Sequence, residues 1–340
     1  MRLKSYGEFN LIRRIRQRID GDDPDLVIGP GDDTAAVRHT PGSLSLLSTD
    51  TFVEGLDFLE EFSSWHQIGW KCMAANVSDI AAMAGRPRFA LVSMCLPDET
   101  EIVAVDHLCD GMVDLARQYG VLIIGGDLSG TPGPLTISIT IMGEVAPNQV
   151  IRRSGAEAGD RICVTGELGG AEAGLRLLQA STDEPLNGIL PDDYANVLSR
   201  HRTPRPRTEE GRIIADSGCV GAMIDISDGL SADILHIGKE SGVGIALDAS
   251  RLPLNTAAAR TASLLEIDPI SLAMNSGEEF ELVCTVSRAQ ADTLCQKVYD
   301  ETGTRMSVIG EVVPQALGNT WLHGNTTHQL NAGGYDHFRK

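Results

Sequence analysis

Five aspartates, Asp33, Asp50, Asp79, Asp127 and Asp225, follow apolar runs in this chain, and their chemistry is the first thing the sequence offers. Leu26-Val27-Ile28 leads into Gly29-Pro30-Gly31-Asp32-Asp33, Leu44 to Leu47 into Ser48-Thr49-Asp50, and Val121 to Ile124 into Gly125-Gly126-Asp127. Ala222-Met223-Ile224 leads into Asp225-Ile226-Ser227-Asp228-Gly229, and Asn76-Val77-Ser78-Asp79 follows a helix-like stretch. α/β proteins place ligand sites just past the ends of buried strands. The aspartates therefore read as carboxylates for hard cations, with the hydroxyls of Ser48, Thr49 and Ser227 beside them. Magnesium combines one or two carboxylates with waters and phosphate oxygens, so such cations would bring phosphates with them. Taken singly, each Asp could be ordinary turn or cap chemistry; jointly they argue for a cluster. On an extended segment Asp225 and Ser227 share a side, which favours Asp225 as a ligand. Asp228 stays open between ligand and cap of the following helix.

Other motifs narrow the ways a nucleotide could be held. Gly238-Lys239-Glu240 has neither the upstream glycine nor the hydroxyl of a P-loop, and Gly29-Pro30-Gly31 lacks the third glycine of a dinucleotide fingerprint. Arg152-Arg153 could clamp phosphates with a planar fork, or be solvated linker charge. Gly166-Glu167-Leu168-Gly169-Gly170 could offer helix amides to an anion, or simply turn the chain. Pro204-Arg205-Pro206-Arg207 reads as a stiff loop before a helix. In Gly277-Glu278-Glu279-Phe280-Glu281-Leu282, strand alternation puts Glu279 and Glu281 on one side. Glu278 at the strand entrance meets either substrate or solvent, and Tyr335 either covers a pocket or anchors the terminus.

The elements that must position these residues alternate between strand and helix in both halves of the 340 residues. The expected fold class is α/β with mixed sheets, in two domains, 1–147 and 148–340, divided where periodicity lapses around Pro147, Gly155 and Gly159. Strands are expected at 44–49 and 51–58, on either side of Asp50, at 121–124 ahead of Asp127, and at 161–165, 244–248, 280–286 and 306–313, with a helix at 230–241. A polar loop is expected at 181–193. The net charge of −19 and an aromatic content of 4% argue against nucleic acid as a partner. No apolar stretch suits a membrane span or a secretory signal. Seven scattered cysteines fit a reducing cytoplasm, and the histidines have no zinc-like spacing.

Taken in order, these pieces resemble the thiamine-monophosphate kinases. The resemblance runs from Gly7-Glu8-Phe9 through Gly31-Asp32-Asp33, Ser48-Thr49-Asp50, Asn76 to Met83, Gly125-Gly126-Asp127 and Arg153-Ser154-Gly155-Ala156. It continues through Val164-Thr165-Gly166, Asp225 to Leu230, Gly277 to Leu282 and Gly334-Tyr335-Asp336-His337-Phe338. It implies the fold of the aminoimidazole-ribonucleotide-synthetase superfamily, with an N-terminal ATP/Mg domain whose sheets join across a homodimer. It also implies ATP-dependent phosphorylation of thiamine monophosphate. Asp33, Ser48, Thr49, Asp50, Asp79, Asp127, Asp225 and Asp228 correspond to magnesium ligands. Gly126, Asp127, Arg153 and Ser227 correspond to ATP contacts, Arg153 and Asp225 to the catalytic pair, and Glu278 and Tyr335 to the substrate site.

Three positions depart from the family pattern. Asp57 in Val53-Glu54-Gly55-Leu56-Asp57-Phe58 replaces a histidine used on the substrate; an acid there would repel a phosphate or attract the thiazolium. Leu128 replaces a threonine, and Cys109 an aromatic residue near adenine. Other superfamily members fit less well. There is no Gly-Thr-Lys after Asp50, no cysteine before Cys72, and no C-terminal cysteine after Phe338. A cation- or nucleotide-binding relative without turnover is the reading from a different class.

Overall fold

A computed structural model of the chain describes residues 1–19, 21–180 and 188–334. They divide into two compact units, Met1–Ile80 with Gly85–Asn148, and Ala81–Ala84 with Gln149 onward.

The first unit opens with helices α1 (Leu3–Tyr6) and α2 (Glu8–Arg16). The helical spacing of Ile12, Ile15 and Ile19 is realised only in part, since Leu11 and Ile19 are the residues that become buried. A ribbon of β1 (Leu26–Ile28) and β2 (Ala36–Val37) brackets Asp33. The main elements follow as β3 (Leu44–Val53), α3 (Trp65–Ala82), β4 (Arg86–Pro97), α4 (Ile102–Gln118), β5 (Leu122–Thr131) and β6 (Thr136–Val145). Their sheet runs β3-β6-β4-β5, antiparallel except for the β4/β5 pair. Its core holds Met73, Val77 and Ile80 of α3, Leu108, Met112 and Leu115 of α4, and Ile137, Ile139 and Ile141 of β6. Burying each such side chain stabilises the fold by about 1.5–3 kcal/mol. Arg14 (Nε to Asp106 Oδ1, 2.7 Å) and Arg18 (to Asp106, 3.1 Å) tie α2 and the residues just after it to α4.

Two strand boundaries differ from expectation in a way that matters for the site. β3 is one ten-residue strand, paired without interruption from Leu44↔Val145 to Val53↔Thr136. Asp50 is therefore mid-strand: β-branched Thr49, Thr51 and Val53 sustain the extended backbone, and no Gly or Pro breaks it. β5 likewise continues through Gly125-Gly126-Asp127 to Thr131, so Asp127 is also inside a strand. Gly126 is needed by the strand itself, because a Cβ there would lie 1.8 Å from the Val92 carbonyl oxygen.

In the second unit the order is β7 (Arg161–Thr165), α5 (Gly170–Ala180), α6 (Pro191–Arg202), α7 (Thr208–Asp216), β8 (Val220–Asp225), α8 (Leu230–Ser241) and β9 (Gly244–Asp248). Then come α9 (Thr256–Leu264), α10 (Pro269–Asn275), β10 (Leu282–Val286), α11 (Ala291–Thr302), β11 (Met306–Val313), β12 (Thr320–His323) and β13 (Thr326–Gln329). The seven-stranded sheet runs β13-β12-β9-β11-β7-β10-β8, and β12/β9 is its parallel pair. Strand alternation splits its side chains between two cores. Ile162, Val164 and Ile224 face Leu230, Ile234 and Ile237 of α8, while Cys163, Met223 and Cys284 face Ile214 of α7 with Leu294 and Val298 of α11. The loop expected at 181–193 is corrected at its end, where Pro191 starts α6; residues 181–187 lie outside the described ones.

Candidate active site

β8 ends at Asp225, 3% exposed, and the chain turns through Ile226-Ser227-Asp228-Gly229 into α8. This turn is held from below by Asp233, one turn into the helix. Its Oδ2 accepts the N–H groups of Ser227 (3.1 Å), Asp228 (3.2 Å) and Gly229 (3.0 Å). The Ile226 N–H donates to the Glu281 carbonyl (2.8 Å). Gly229, not Asp228, is the N-cap of α8, and it makes no side-chain cap bond. The cap alternative for Asp228 is thereby removed, because the cap position falls one residue later, on Gly229. Burial pushes the Asp233 carboxyl up to about 7, opposed by the Gly229 amide and reinforced by the charges of Asp225 and Asp228.

The Gly277–Glu281 segment lies against the other side of the turn. Glu278 N–H donates to the Ser227 carbonyl (2.8 Å) and Phe280 N–H to the Ile226 carbonyl (2.9 Å). Glu278 (φ 57) and Phe280 (φ 51) are left-handed, so β10 begins only at Leu282 and the expected alternation of Glu279 and Glu281 against Phe280 and Leu282 does not hold. All four of those side chains are buried. Glu281 accepts Thr165 Oγ1 (2.7 Å) and Arg207 Nε (2.7 Å), with Arg200 at 3.3 Å. Burial pushes its carboxyl up, but the Arg207 and Arg200 guanidinium groups outweigh that and hold it below the usual range. The Pro204–Arg207 loop thus delivers half of an internal ion pair. Glu279 Oε1 accepts the Ser276 hydroxyl and the Ala171 N–H (3.1 Å), while Ser276 Oγ accepts the Glu172 N–H (3.1 Å). The α5 amides, which could have served an external anion, therefore face an internal carboxyl and a hydroxyl. Glu278 itself is half-buried, with its Oε2 3.9 Å from His201 Nδ1.

Arg153 is exposed, yet its backbone is not a free linker. Arg152 C=O accepts the Met223 N–H (2.9 Å), and Ser241 Oγ accepts the Gly155 and Ala156 N–H groups (3.1 Å each). A Cβ on Gly155 would lie 2.5 Å from the Gly221 carbonyl oxygen, so the segment runs antiparallel to β8. Arg153 stands level with Ala222, three residues or roughly 10 Å short of Asp225. At the chain's other end, Gly334 packs on the turn so closely that a Cβ would fall 2.0 Å from the Asp228 carbonyl oxygen. Tyr335 follows it in sequence and lies outside the described residues.

In the first unit the candidates separate by sheet face. Ser48 and Asp50 share the face that carries buried Leu46 and Phe52, and Ser48 Oγ donates to Asp79 Oδ2 of α3. Thr49 points the other way, donating to the Ile139 carbonyl (3.0 Å) and accepting from Thr140 Oγ1 (3.1 Å). Asp127 is exposed and pairs in register with exposed Ser93. Asp33 is exposed in the β1–β2 loop. Asp57 closes the turn after β3, its Oδ2 accepting the Val53 N–H (2.7 Å). Cys109 is inside the α4 core, where burial pushes its thiol up to about 12.

Among the described residues no group of three or more His, Cys, Asp or Glu side chains is arranged to hold a metal ion. The donors are oxygen only, carboxylates and hydroxyls in small sets. That fits magnesium, which takes few carboxylates and completes its octahedron with water and phosphate oxygens. It does not fit a soft or all-protein metal cage.

The AIR synthase related protein N-terminal domain matches residues 31–145, and the AIR synthase related protein C-terminal domain matches residues 157–321. The thiamine-monophosphate kinase of Bacillus subtilis is 34% identical over 98% of this chain and 99% of its own length. The chain belongs to the thiamine-monophosphate kinase family. The crystal structure of the Stenotrophomonas maltophilia thiamine-monophosphate kinase superposes with a TM-score of 0.80 at 33% identity, covering 91% of this chain and 94% of that one. AaThiL, complexed with AMPPCP and TMP, gives 0.76 at 31% identity over 99% of both chains.

Within a thiamine-monophosphate kinase fold, Asp233, Glu279 and Glu281 have supporting roles that their sequence patterns do not reveal. Glu279 and Glu281 were visible only as acids on a presumed strand. Asp233 had one signal, a carboxylate five residues after Asp228 in a helix whose N-cap is glycine. The Asp57 departure also has a local explanation, since its carboxylate holds the β3 turn.

Proposed function

We propose that this chain transfers the γ-phosphate of ATP directly, in line, to thiamine monophosphate, giving thiamine diphosphate and ADP. The observation that carries this reading is its near full-length likeness to thiamine-monophosphate kinases, among them one described with AMPPCP and TMP. The acceptor is a phosphate monoester with a second pKa of about 6, already largely dianionic at neutral pH. It needs no strong base; the obstacle is repulsion between two polyanions beside an acidic protein.

Asp33, Ser48, Thr49, Asp50, Asp79, Asp127, Asp225 and Asp228 would hold Mg2+, which when bound screens that repulsion and helps align the phosphates. Gly126, Asp127, Ser227 and Arg153 would meet ATP, and Arg153, with an extended side chain, would balance charge on the transferred group. Glu278, Asp57 and Tyr335 would line the thiamine-phosphate site, where the carboxylates suit the thiazolium cation. Incubation with ATP, Mg2+ and thiamine monophosphate should yield ADP and thiamine diphosphate in equal amounts. ATP binding without either product would instead support the non-catalytic relative, and a trapped phosphoenzyme would overturn direct transfer.

We further infer a cytoplasmic homodimer joined through the first unit. Both edges of its sheet, β3 and β5, are ten-residue strands that have a strand neighbour on one side only among the described residues, and Leu47 on β3 is 71% exposed. Such edges invite pairing with another chain. A monomer mass by light scattering at micromolar concentration would rule this out. No helix among the described residues is long and apolar enough to cross a membrane.

A further inference from the structure

The N-terminus of a helix preceded by a glycine turn is ordinarily a place for an external anion, because its N–H groups are unpaired and the helix dipole favours negative charge. Just ahead of α8 the amides of the turn are claimed from inside the protein. Asp233 is 2% exposed, and a single oxygen, Oδ2, gathers three consecutive N–H groups, those of Ser227, Asp228 and Gly229. The Ile226 N–H is bound by the Glu281 carbonyl, and the Ile226 and Ser227 carbonyls accept from Phe280 and Glu278. From Ile226 to Gly229 every backbone N–H is therefore satisfied from inside the protein. A phosphate approaching Ile226 to Gly229 therefore meets amides that are already bonded. What the turn presents outward is side chains, namely exposed Ser227 and half-buried Asp228 next to Asp225.

We propose that Asp233 is a positioning residue: its carboxyl group ties down the three amides of the turn between β8 and α8 and so fixes how that turn presents its side chains to cation-bound nucleotide. It acts through Asp225, Ser227 and Asp228, whose spacing it fixes, and it touches neither nucleotide nor metal. The inference rests on the kinase reading for the identity of that nucleotide. An internal carboxyl group suits that role for two reasons. One oxygen can accept several N–H bonds at once, and it remains an acceptor whether or not the other oxygen carries a proton. An alanine would leave three amides facing a void, free to reorient or to capture phosphate in a wrong register.

The test compares Asp233→Ala and Asp233→Asn with the unaltered protein. The Asn oxygen can accept the same three N–H groups, so Asn should rescue what Ala loses. For Asp233→Ala we expect the KM for MgATP to rise by about tenfold or more, as for other residues that orient metal ligands. The KM for thiamine monophosphate should stay within about twofold, and Asp233→Asn should lie within about threefold of the unaltered protein on both. Amide hydrogen exchange at residues 227–229 should be protected in the unaltered protein and in Asp233→Asn, and fast in Asp233→Ala. A folded Asp233→Ala with unchanged MgATP KM and unchanged exchange overturns the proposal. So does an Asn variant as impaired as Ala. If Ala does not fold, the Asn variant and the exchange of the unaltered protein still decide. Absence of thiamine diphosphate formation by the unaltered protein would sink the kinase reading alone; Mg2+-dependent ATP binding and the exchange pattern would then judge Asp233.

Discussion

Both units use a carboxylate to hold backbone beside candidate ligand residues, but at different depths. In the first, half-buried Asp57 accepts the Val53 N–H and closes the turn after β3. In the second, Asp233 holds the exit of β8 and Glu279 an amide of α5, while Glu281 binds Thr165 and two arginines, all from positions closed to water. Depth changes what each carboxylate requires. Glu281 is kept ionised by two arginines, against the push of burial. Glu279, two residues away and equally buried, has an amide and a hydroxyl as its direct donors, and burial takes it to about 7 in spite of them. Its Oε2 has no hydrogen-bond partner among the described residues, so no donor offsets burial at that oxygen. Inside a fold the charge on the donors, more than their number, decides whether a carboxylate stays ionised.

The largest effect should come from neutralising the two glutamates separately. Glu281→Gln leaves Arg207 and Arg200 facing a neutral amide, and breaking one partner of a buried pair costs about 3–5 kcal/mol. Glu279→Gln should do the opposite at high pH. The folded carboxyl at about 7 lies above its ordinary 4.5, so its contribution is fully present below about pH 4.5 and is lost as pH rises through 7. The span corresponds to about 3 kcal/mol. Denaturant melts should therefore show Glu279→Gln gaining on the unaltered protein between pH 5 and pH 8, and standing above it at pH 8. Asp233 contributes in the same direction and remains in both proteins, so the pH dependence flattens only in part. Parallel pH profiles for Glu279→Gln and the unaltered protein would mean that Glu279 is ionised throughout, and the contrast with Glu281 would disappear.

Much of the framework was legible because apolar periodicity reports burial directly. Strands at 161–165, 244–248 and 306–313 and the helix at 230–241 fall where their patterns put them. What escaped has physical causes. Asp50 and Asp127 read as strand ends because polar residues interrupt the apolar run, yet an edge strand with an open face tolerates Ser, Thr and Asp on that face. The helices α9 and α10 fall outside the expected elements, although Asn255 and Asp268 cap them and Pro269 stands at the first position of α10. The Gly277–Glu281 segment defeated strand alternation because Glu278 and Phe280 adopt a backbone that side chains seldom take. Asp233 and Glu279 serve backbone groups that no local pattern marks, and only the folded chain brings them there.

The smallest expected effect concerns Asp57, and it tests depth itself. Removing an acceptor from a partly exposed backbone N–H resembles removing a helix cap, which costs about 0.5–2 kcal/mol. Asp57→Ala should lower stability by about 1 kcal/mol, because water can replace the lost acceptor at a half-buried turn. Asp57→Asn keeps an oxygen for the Val53 N–H and should be nearly neutral. Asp57→His presents a ring nitrogen that can accept only as the neutral tautomer, so it should resemble Ala at low pH and recover as the ring deprotonates. Kinetics on the same variants separate this role from contact with substrate: a turn clamp moves stability in the order Asn, His, Ala, whereas a substrate contact moves the KM for thiamine monophosphate. If Asp57→Ala cost as much as Glu281→Gln, the turn would be as closed to water as the core, and depth could not be what distinguishes the two units' clamps.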